Sequence, residues 1–247
     1  MKLTVLGCSG SMAGPDSPAS GYLIEADGFR VLLELGNGAF GALQRHVAPT
    51  DVDAIILSHL HPDHCIDMTS YIVALRYGPQ RQSGRIPLYG PASTKDRIEA
   101  AYDPFARKLG LHELFDFATP ADAELGPFAV SFARVNHPVP AYAIRLRAGD
   151  RTLAFSGDTG ESEALVGLAT GADLFLCEAS FSAREEYVPD LHLTGAQAGE
   201  HARRAGVGRL VVTHVQPWNS RAEAVAEAAA VFGPETVAAT PGAVFEI

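Results

Sequence analysis

The chain has 247 residues, of which 47% are hydrophobic and 19% are charged, and this balance is typical of a globular protein with a large core. Its formal net charge of −10 argues against an extended nucleic acid as a partner, because proteins that bind through phosphate contacts carry a basic face. No apolar run approaches the roughly 20 residues of a membrane-spanning helix, so we expect no membrane partner.

We expect a single domain over residues 1–247, because no low-complexity linker divides the sequence. The N-terminal residues lead directly into a predicted strand and lack the features of a signal peptide. Cys8, Cys65 and Cys177 are odd in number and far apart, so they suggest no disulfide framework. A cytoplasmic location is the resulting expectation.

The first half of the chain alternates short β-rich runs with helical stretches. Strands are predicted at residues 2–6, 21–25, 29–34, 53–57 and 86–89, between glycine turns and polar loops. Helices are predicted at residues 65–77 and 94–109, the second with Ser93 and Asp96 as its N-terminal cap.

The second half repeats this order of strands and helices. Strands are predicted at residues 115–118, 128–135, 142–147, 151–155, 173–177 and 209–213, with a hairpin turn at Gly149 and Asp150. Helices are predicted near residues 162–169, 195–205 and 221–232, and Thr194 with Gln197 forms a capping box for the second of these. Two β-rich halves with outer helices indicate a layered α/β domain.

The loop after the predicted strand 53–57 contains four residues that can bind metals within six positions: His59, His61, Asp63 and His64. Imidazole is the commonest protein ligand for zinc-like ions, and carboxylates bind the same ions. A single histidine would more often be structural, but this spacing predicts a metal site. Cys65 offers either a soft ligand or, as we expect, a small buried thiol.

Three further residues that can bind metals follow predicted strands. They are His137, Asp158 and His214. Each alone is weak evidence, but ligands at strand ends are held by a sheet while remaining accessible to substrate. With the first loop they make seven candidate ligands, which suits two metal ions that share a carboxylate.

In this order and spacing, the His59-x-His61-x-Asp63-His64 loop and the three later residues resemble the metallo-β-lactamase superfamily. The resemblance spans nearly the whole chain and implies a four-layer αβ/βα sandwich with a dinuclear centre at one edge. It assigns Asp158 as the bridge between two sets of ligands: His59, His61 and His137 for the first metal, and Asp63, His64 and His214 for the second. Zinc is expected from the nitrogen-rich set, with manganese or iron as alternatives.

Two downstream segments resemble those of ribonuclease Z-like enzymes: Glu178-Ala179-Ser180 and His192-Leu193-Thr194. His192 precedes a predicted helix N-terminus, where an anion is favoured. The resemblance implies metal-assisted hydrolysis of a phosphodiester, with Asp63, His192 and Glu178 as candidate catalytic residues. Asp63 would orient the attacking water, His192 would protonate the leaving group, and Glu178 would hold His192 protonated. The alternative is that Glu178 and His192 are incidental surface residues.

The spacing of the motifs bears on the substrate. Ribonuclease Z carries a long arm that grips transfer RNA between its third histidine motif and its Gly-Asp motif, whereas His137 and Asp158 are separated here by only about twenty residues, most of them in the predicted hairpin. The chain is therefore closer to compact bacterial cyclic-nucleotide phosphodiesterases, although Pro62 stands where glycine is more usual. A 3′,5′-cyclic nucleotide is the expected substrate.

Other functions remain open at this stage. The alternatives are a ribonuclease Z-like endonuclease that processes the 3′ end of transfer RNA, a thioester or lactone hydrolase, and a metal-binding scaffold without activity. The resemblance also allows a homodimer, since relatives are often dimers. Five aromatic residues could line either a base pocket or the core: Tyr22, Tyr71, Tyr77, Phe181 and Trp218. We expect the core for these residues, with Trp218 as the first exception.

Overall fold

The computed structural model describes residues 1–80, 82–103, 105, 109–183 and 188–247. In these ranges the strands are β1 (Lys2–Gly7), β2 (Gly21–Ala26), β3 (Phe29–Leu35), β4 (Ala54–Ile56), β5 (Ile86–Tyr89), β6 (Phe115–Ala118), β7 (Ala123–Leu125), β8 (Phe128–Arg134), β9 (Tyr142–Ala148), β10 (Arg151–Phe155), β11 (Leu174–Glu178), β12 (Arg209–Thr213), β13 (Thr236–Ala238) and β14 (Val244–Glu246). The α-helices are α1 (Ala39–Leu43), α2 (Pro62–Cys65), α3 (Met68–Tyr77), α4 (Thr94–Tyr102), α5 (Glu163–Ala169), α6 (Gly195–Ala205) and α7 (Arg221–Phe232). Single 3₁₀ turns lie at Pro49–Asp51 and Leu111–Glu113.

The strands of the described residues form two mixed sheets with the same topology. One sheet has the order β14-β1-β2-β3-β4-β5-β6, and the other has the order β13-β12-β11-β10-β9-β8-β7. In each sheet an antiparallel part is followed by parallel strands, β3 to β6 in one and β10 to β13 in the other. Because parallel strands end at the same edge, the loops after β10, β11 and β12 are brought together.

Three apolar layers hold the sheets and helices together. The layer between the sheets includes Tyr22 and Phe155, whose ring centroids are 5.5 Å apart. A second layer packs α1, α3 and α4 on the outer face of the first sheet, and a third packs α5, α6 and α7 on the second sheet. The predicted four-layer αβ/βα sandwich is confirmed.

The alternation along β3 shows how the sequence produces these layers. Val31 and Leu33 face the other sheet, whereas Leu32 and Leu35 face the helices. A strand covered on both faces is apolar at nearly every position, since successive side chains point to opposite sides. Glu34 is the exception, because it is fully buried within this apolar strand.

The structure corrects several predicted boundaries. The helix predicted at residues 65–77 begins only at Met68, as α3, and the residues before it form the separate short helix α2 (Pro62–Cys65). Pro62 occupies the first turn of α2, where its missing N–H is not needed. The helix predicted at 94–109 ends at Tyr102, and part of the remainder lies outside the described residues. The predicted cap by Ser93 is wrong, since its side chain makes no capping hydrogen bond.

Other features follow the sequence more closely. The capping box of Thr194 and Gln197 and the hairpin at Gly149 and Asp150 are confirmed. The short elements α1, β7, β13 and β14 were not predicted: a glycine interrupts α1, and each of the three strands has only three residues. Among the described residues, no helix has the length and apolar character needed to cross a membrane.

Two glycines allow loops to pack closely at the edge of the sandwich where the candidate ligands lie. A β-carbon on Gly36, just after β3, would overlap the carbonyl oxygen of Asp63. A β-carbon on Gly10, in the loop after β1, would overlap the carbonyl oxygen of His214. Only a residue without a side chain permits these approaches, so the two glycines help to set the positions of both ligand loops.

Candidate metal centre

The two sheets deliver candidate ligands to one edge of the sandwich. From the first sheet, the loop after β4 and the single turn of α2 carry His59, His61, Asp63 and His64. From the second sheet come three residues that follow β8, β10 and β12, namely His137, Asp158 and His214. All seven residues predicted from the sequence meet here, in two groups whose ligand atoms lie within 4.8 Å of one another.

The first group consists of His59, His61, His137 and Asp158. His59 Nε2 lies 3.1 Å from His61 Nδ1, and His137 Nε2 lies 3.2 Å from the same atom. Asp158 Oδ2 is 3.6 Å from His59 Nε2. Three ring nitrogens and a carboxylate oxygen therefore face a common centre.

The second group consists of Asp63, His64, His214 and again Asp158. His64 Nε2 and His214 Nε2 are 3.0 Å apart, and Asp63 Oδ2 lies 3.3 Å from the former and 3.1 Å from the latter. Asp158 Oδ1 is 3.2 Å from His64 Nε2 and 3.5 Å from His214 Nε2. Asp158 thus presents a different oxygen to each group.

These separations fit metal coordination. Ligand bonds of about 2.0–2.2 Å in tetrahedral geometry place neighbouring ligand atoms roughly 3.3–3.6 Å apart. Asp158 Oδ1 is buried and accepts no hydrogen bond from the residues that the structure describes. A buried carboxylate oxygen without a donor is costly, and a cation would satisfy it. The donor set suits a divalent metal ion, and we conclude that the protein uses one.

The distal ring nitrogens show which tautomers the histidines adopt. His137 Nδ1 donates to the carbonyl of Leu191 at 2.9 Å, and His64 Nδ1 donates to Glu34 Oε2 at 3.2 Å. With its single proton on Nδ1, the neutral form of each imidazole would direct the Nε2 lone pair into the site, where a metal could bind it.

Ser180 fixes His214 in the same way. Its hydroxyl donates to the backbone carbonyl of His214 at 2.7 Å, so its oxygen must accept the proton of His214 Nδ1, also at 2.7 Å. At the other end of the site, His59 Nδ1 lies 3.0 Å from the hydroxyl oxygen of Ser58. The ligand nitrogens of His214 and His59 are therefore also directed into the site.

The electrostatics of the site also favour a bound cation. Burial lowers the pKa of His59, His61 and His137, so these imidazoles are neutral and able to bind metal. Burial opposes ionisation of Asp63 and Asp158, but neighbouring imidazoles, His64 and His214 foremost, hold both carboxyl pKa values below their ordinary value. Burial lowers the pKa of His64, but Asp158 and Asp63 outweigh this and raise it, so without a metal an imidazolium balances the carboxylates. A bound cation would supply that positive charge instead.

His192 and Glu178 form a pair beside the second group. Glu178 Oε1 lies 2.9 Å from His192 Nδ1, and both side chains are buried. Burial lowers the pKa of His192, but the carboxylate of Glu178 outweighs this and raises it to about 9. Glu178 thus favours the imidazolium form of His192, and Nε2 lies on the side of the ring opposite this carboxylate.

Backbone hydrogen bonds hold Glu178 in place. Its carboxylate accepts from the N–H groups of Thr159 at 2.7 Å, Ser180 at 3.2 Å and Leu193 at 3.3 Å. These bonds tie together the loops that follow β10 and β11 and the segment before α6. The alternative, that Glu178 and His192 are incidental surface residues, does not fit their burial.

Two contributors were not predicted from the sequence. Glu34 accepts from the Ser58 N–H at 2.6 Å as well as from His64, so it supports two residues of the first loop. The sequence feature that could have indicated this role is a charged residue within an otherwise apolar predicted strand. Ser180 belongs to the Glu178-Ala179-Ser180 segment, but its hydrogen bond to His214 joins residues 34 positions apart. No pattern in the neighbouring sequence indicates such a bond.

Comparisons with known proteins agree with this geometry. A family model described as "Beta-lactamase superfamily domain" matches residues 15–215. The uncharacterised protein Rv1339 of Mycobacterium tuberculosis is 44% identical over the whole of this chain and 92% of its own length. The probable metallo-hydrolase YhfI of Bacillus subtilis is 29% identical over the full length of both chains. Its crystal structure has a TM-score of 0.88 to this chain, covering 99% of this chain and 98% of YhfI at 27% identity. Ribonuclease Z of Mycobacterium bovis is 27% identical over 88% of this chain and 86% of its own length.

The support given by Glu34 can be tested by Glu34→Gln. The amide has one acceptor oxygen, so it cannot accept from both Ser58 and His64, and one of the two contacts becomes donor against donor. We expect the affinity for zinc to fall about 10- to 100-fold, measured by competition with a chromogenic chelator. Glu25→Gln, which changes a surface ion pair with Lys2, is the matched control and should leave the affinity unchanged. Wild-type affinity in folded Glu34→Gln protein would contradict the role given to Glu34.

Proposed function

This chain belongs to the β-lactamase superfamily and is a metal-dependent hydrolase, and from that premise we propose that it hydrolyses a small phosphodiester, a 3′,5′-cyclic nucleotide. The observation that carries the proposal is the buried pair of His192 and Glu178 beside the second ligand group. Cleavage of a phosphodiester expels a basic alkoxide, which requires a proton. Hydrolysis of a lactone or thioester on the same centre needs no imidazolium at this position.

We propose that two divalent ions bind, zinc in preference to manganese or iron. His59, His61 and His137 would hold one ion, Asp63, His64 and His214 would hold the other, and Asp158 would bridge them. A bound metal pair supplies a water of lowered pKa and offsets the charge of the phosphate oxygens. Because both sheets provide ligands, the 247 residues are proposed to act as one domain.

The chain's own groups then have distinct tasks. His192 Nε2 donates a proton to the 3′ oxygen as the P–O3′ bond breaks. The oxygen of the attacking water forms the new bond to phosphorus, that water loses one proton to the solvent, and the product is a 5′-monophosphate. Glu178 is a positioning residue that keeps His192 charged. Asp63 Oδ2 faces His64 and His214. The other oxygen of this carboxylate, Oδ1, can orient the attacking water.

The hairpin between His137 and Asp158 bears on the size of the substrate. Strands β9 and β10 pair from Ala148 with Arg151 to Ile144 with Phe155, and their turn contains two residues. This segment belongs to the second sheet and leaves no room for an arm at that place. A small ligand that fits at the sheet edge is therefore favoured over folded RNA.

A second candidate is a ribonuclease Z-like endonuclease acting on transfer RNA. It is favoured by the 27% identity to ribonuclease Z of Mycobacterium bovis over most of both chains. The short hairpin and the net charge of −10 count against it.

A panel of substrates separates these functions. Purified protein supplied with zinc or manganese is incubated with cyclic AMP, bis(p-nitrophenyl) phosphate, a lactone and a precursor transfer RNA. We expect both phosphodiesters of low molecular mass to be cleaved, and cyclic AMP to yield the 5′-monophosphate by chromatography. Cleavage of the precursor RNA but not of cyclic AMP would favour the second candidate. Lactone cleavage without phosphodiester cleavage would refute both.

The task of His192 can be tested by His192→Ala. General acid catalysis contributes about 10²- to 10⁴-fold, so we expect kcat for cyclic AMP to fall by that range. The p-nitrophenolate ion needs little protonation, so the loss with bis(p-nitrophenyl) phosphate should be much smaller. Metal content, measured by mass spectrometry, should match the wild type.

The matched control for this variant is His112→Ala, since His112 is exposed and outside the site. It should leave kcat unchanged for both substrates. Equal losses for the two substrates in His192→Ala would show that His192 does not protonate the leaving group. Loss of metal in the same variant would point to a ligand role instead.

A further inference from the structure

A cavity of about 300 Å³ lies next to α7, and Phe181, which contacts His192, forms part of its wall. Its walls include Ala179 and Val215, each of which directly follows a residue of the site in the sequence. Phe181 forms another wall, and its ring packs edge-on against the imidazole of His192 with 5.1 Å between ring centroids. The volume is at the lower end of the range for small-molecule sites.

Trp218 lies at the mouth of this cavity and is 63% exposed. It occupies a turn closed by the Asn219 N–H, which donates to the Gln216 carbonyl at 2.9 Å. The Asn219 side chain donates to the Ser180 carbonyl at 2.8 Å, and the Gln216 side chain donates to the Ser11 hydroxyl at 3.1 Å. The indole is thus exposed on an anchored turn, an arrangement that gives a flat stacking surface at low entropic cost.

Glu227, on α7, supplies the polar feature of the cavity wall. Its Oε2 atom is buried and accepts no hydrogen bond from the residues that the structure describes. The side chain lies against the first turn of α6, where a β-carbon on Gly195 would be 2.9 Å from Glu227 Cβ. A helix N-terminus favours a carboxylate, but Oε2 still needs a donor. A ligand with an N–H group would provide it.

We propose that this cavity binds the nucleobase of the substrate and takes a purine that carries an exocyclic amine. A purine presents a large face to Trp218, and the amine donates to Glu227, which as a carboxylate can only accept. The walls carry two carboxylates, of Glu223 and Glu227, so the phosphate is directed away from the cavity and towards the metal centre. This inference rests on the proposed function, because it assumes a nucleotide substrate.

Trp218 is the only tryptophan of the chain, which allows base binding to be measured without turnover. Adenosine and purine riboside are titrated into the protein while tryptophan fluorescence is recorded. The two nucleosides have the same ring system and sugar, but purine riboside lacks the amine. We expect saturable quenching by both, with adenosine bound about tenfold more tightly, or about 1.4 kcal/mol.

Glu227→Leu removes the acceptor and should bring the two affinities together, whereas Glu235→Leu, a matched change of a surface glutamate, should keep the tenfold ratio. Equal affinities of the wild-type protein for the two nucleosides, or no quenching by either of them, would overturn the inference. Because these are wild-type measurements, they decide the matter even if the Glu227→Leu protein does not fold. Cyclic AMP hydrolysis without quenching would overturn the subsite and leave the proposed function standing. Quenching by adenosine without hydrolysis of any phosphodiester would overturn the proposed function instead.

Discussion

A buried carboxylate that faces imidazoles on both sides is the constraint on which the rest of the site depends. Asp158 directs Oδ2 towards His59 and Oδ1 towards His64 and His214. Burying an ionised carboxylate costs several kcal/mol unless positive charge lies close to it. The two sheets contribute ligands on either side of Asp158, so their packing sets the distance between the two groups. The apolar core between the sheets therefore helps to set the geometry of the candidate metal site.

The backbone that positions the candidate ligands is strained at two residues. His214 and Glu34 both have positive φ angles, 55° and 61°, in the left-handed region that most residues avoid. Such conformations cost about 1–3 kcal/mol each and persist only where the surroundings enforce them. Gly10 lies against the carbonyl of His214, and Ser180 holds the imidazole of the same residue. Both strained residues determine the orientation of candidate ligand side chains. At these positions a fixed side-chain orientation offsets the cost of an unfavourable backbone conformation.

The ligands could be predicted from the sequence because their signal is local. His59, His61 and His64 stand together behind an apolar strand, and Asp158 and His214 each follow a strand. Glu34 could not be given a task, since its partners His64 and Ser58 are brought to it by the pairing of β3 with β4. The cavity at Trp218 was equally hidden, because loops and α7 form its walls jointly. Apolar runs and periodicity indicated most strands and the longer helices, whereas α1, β7, β13 and β14 were missed.

We propose that Asp158 joins two metal ions in one centre. Anomalous X-ray diffraction from crystals of zinc-loaded protein can locate these ions. We expect two zinc peaks, one among His59, His61 and His137 and the other among Asp63, His64 and His214, with an oxygen of Asp158 bound to each. A single zinc peak at full loading, or two peaks with Asp158 bound to only one, would contradict it.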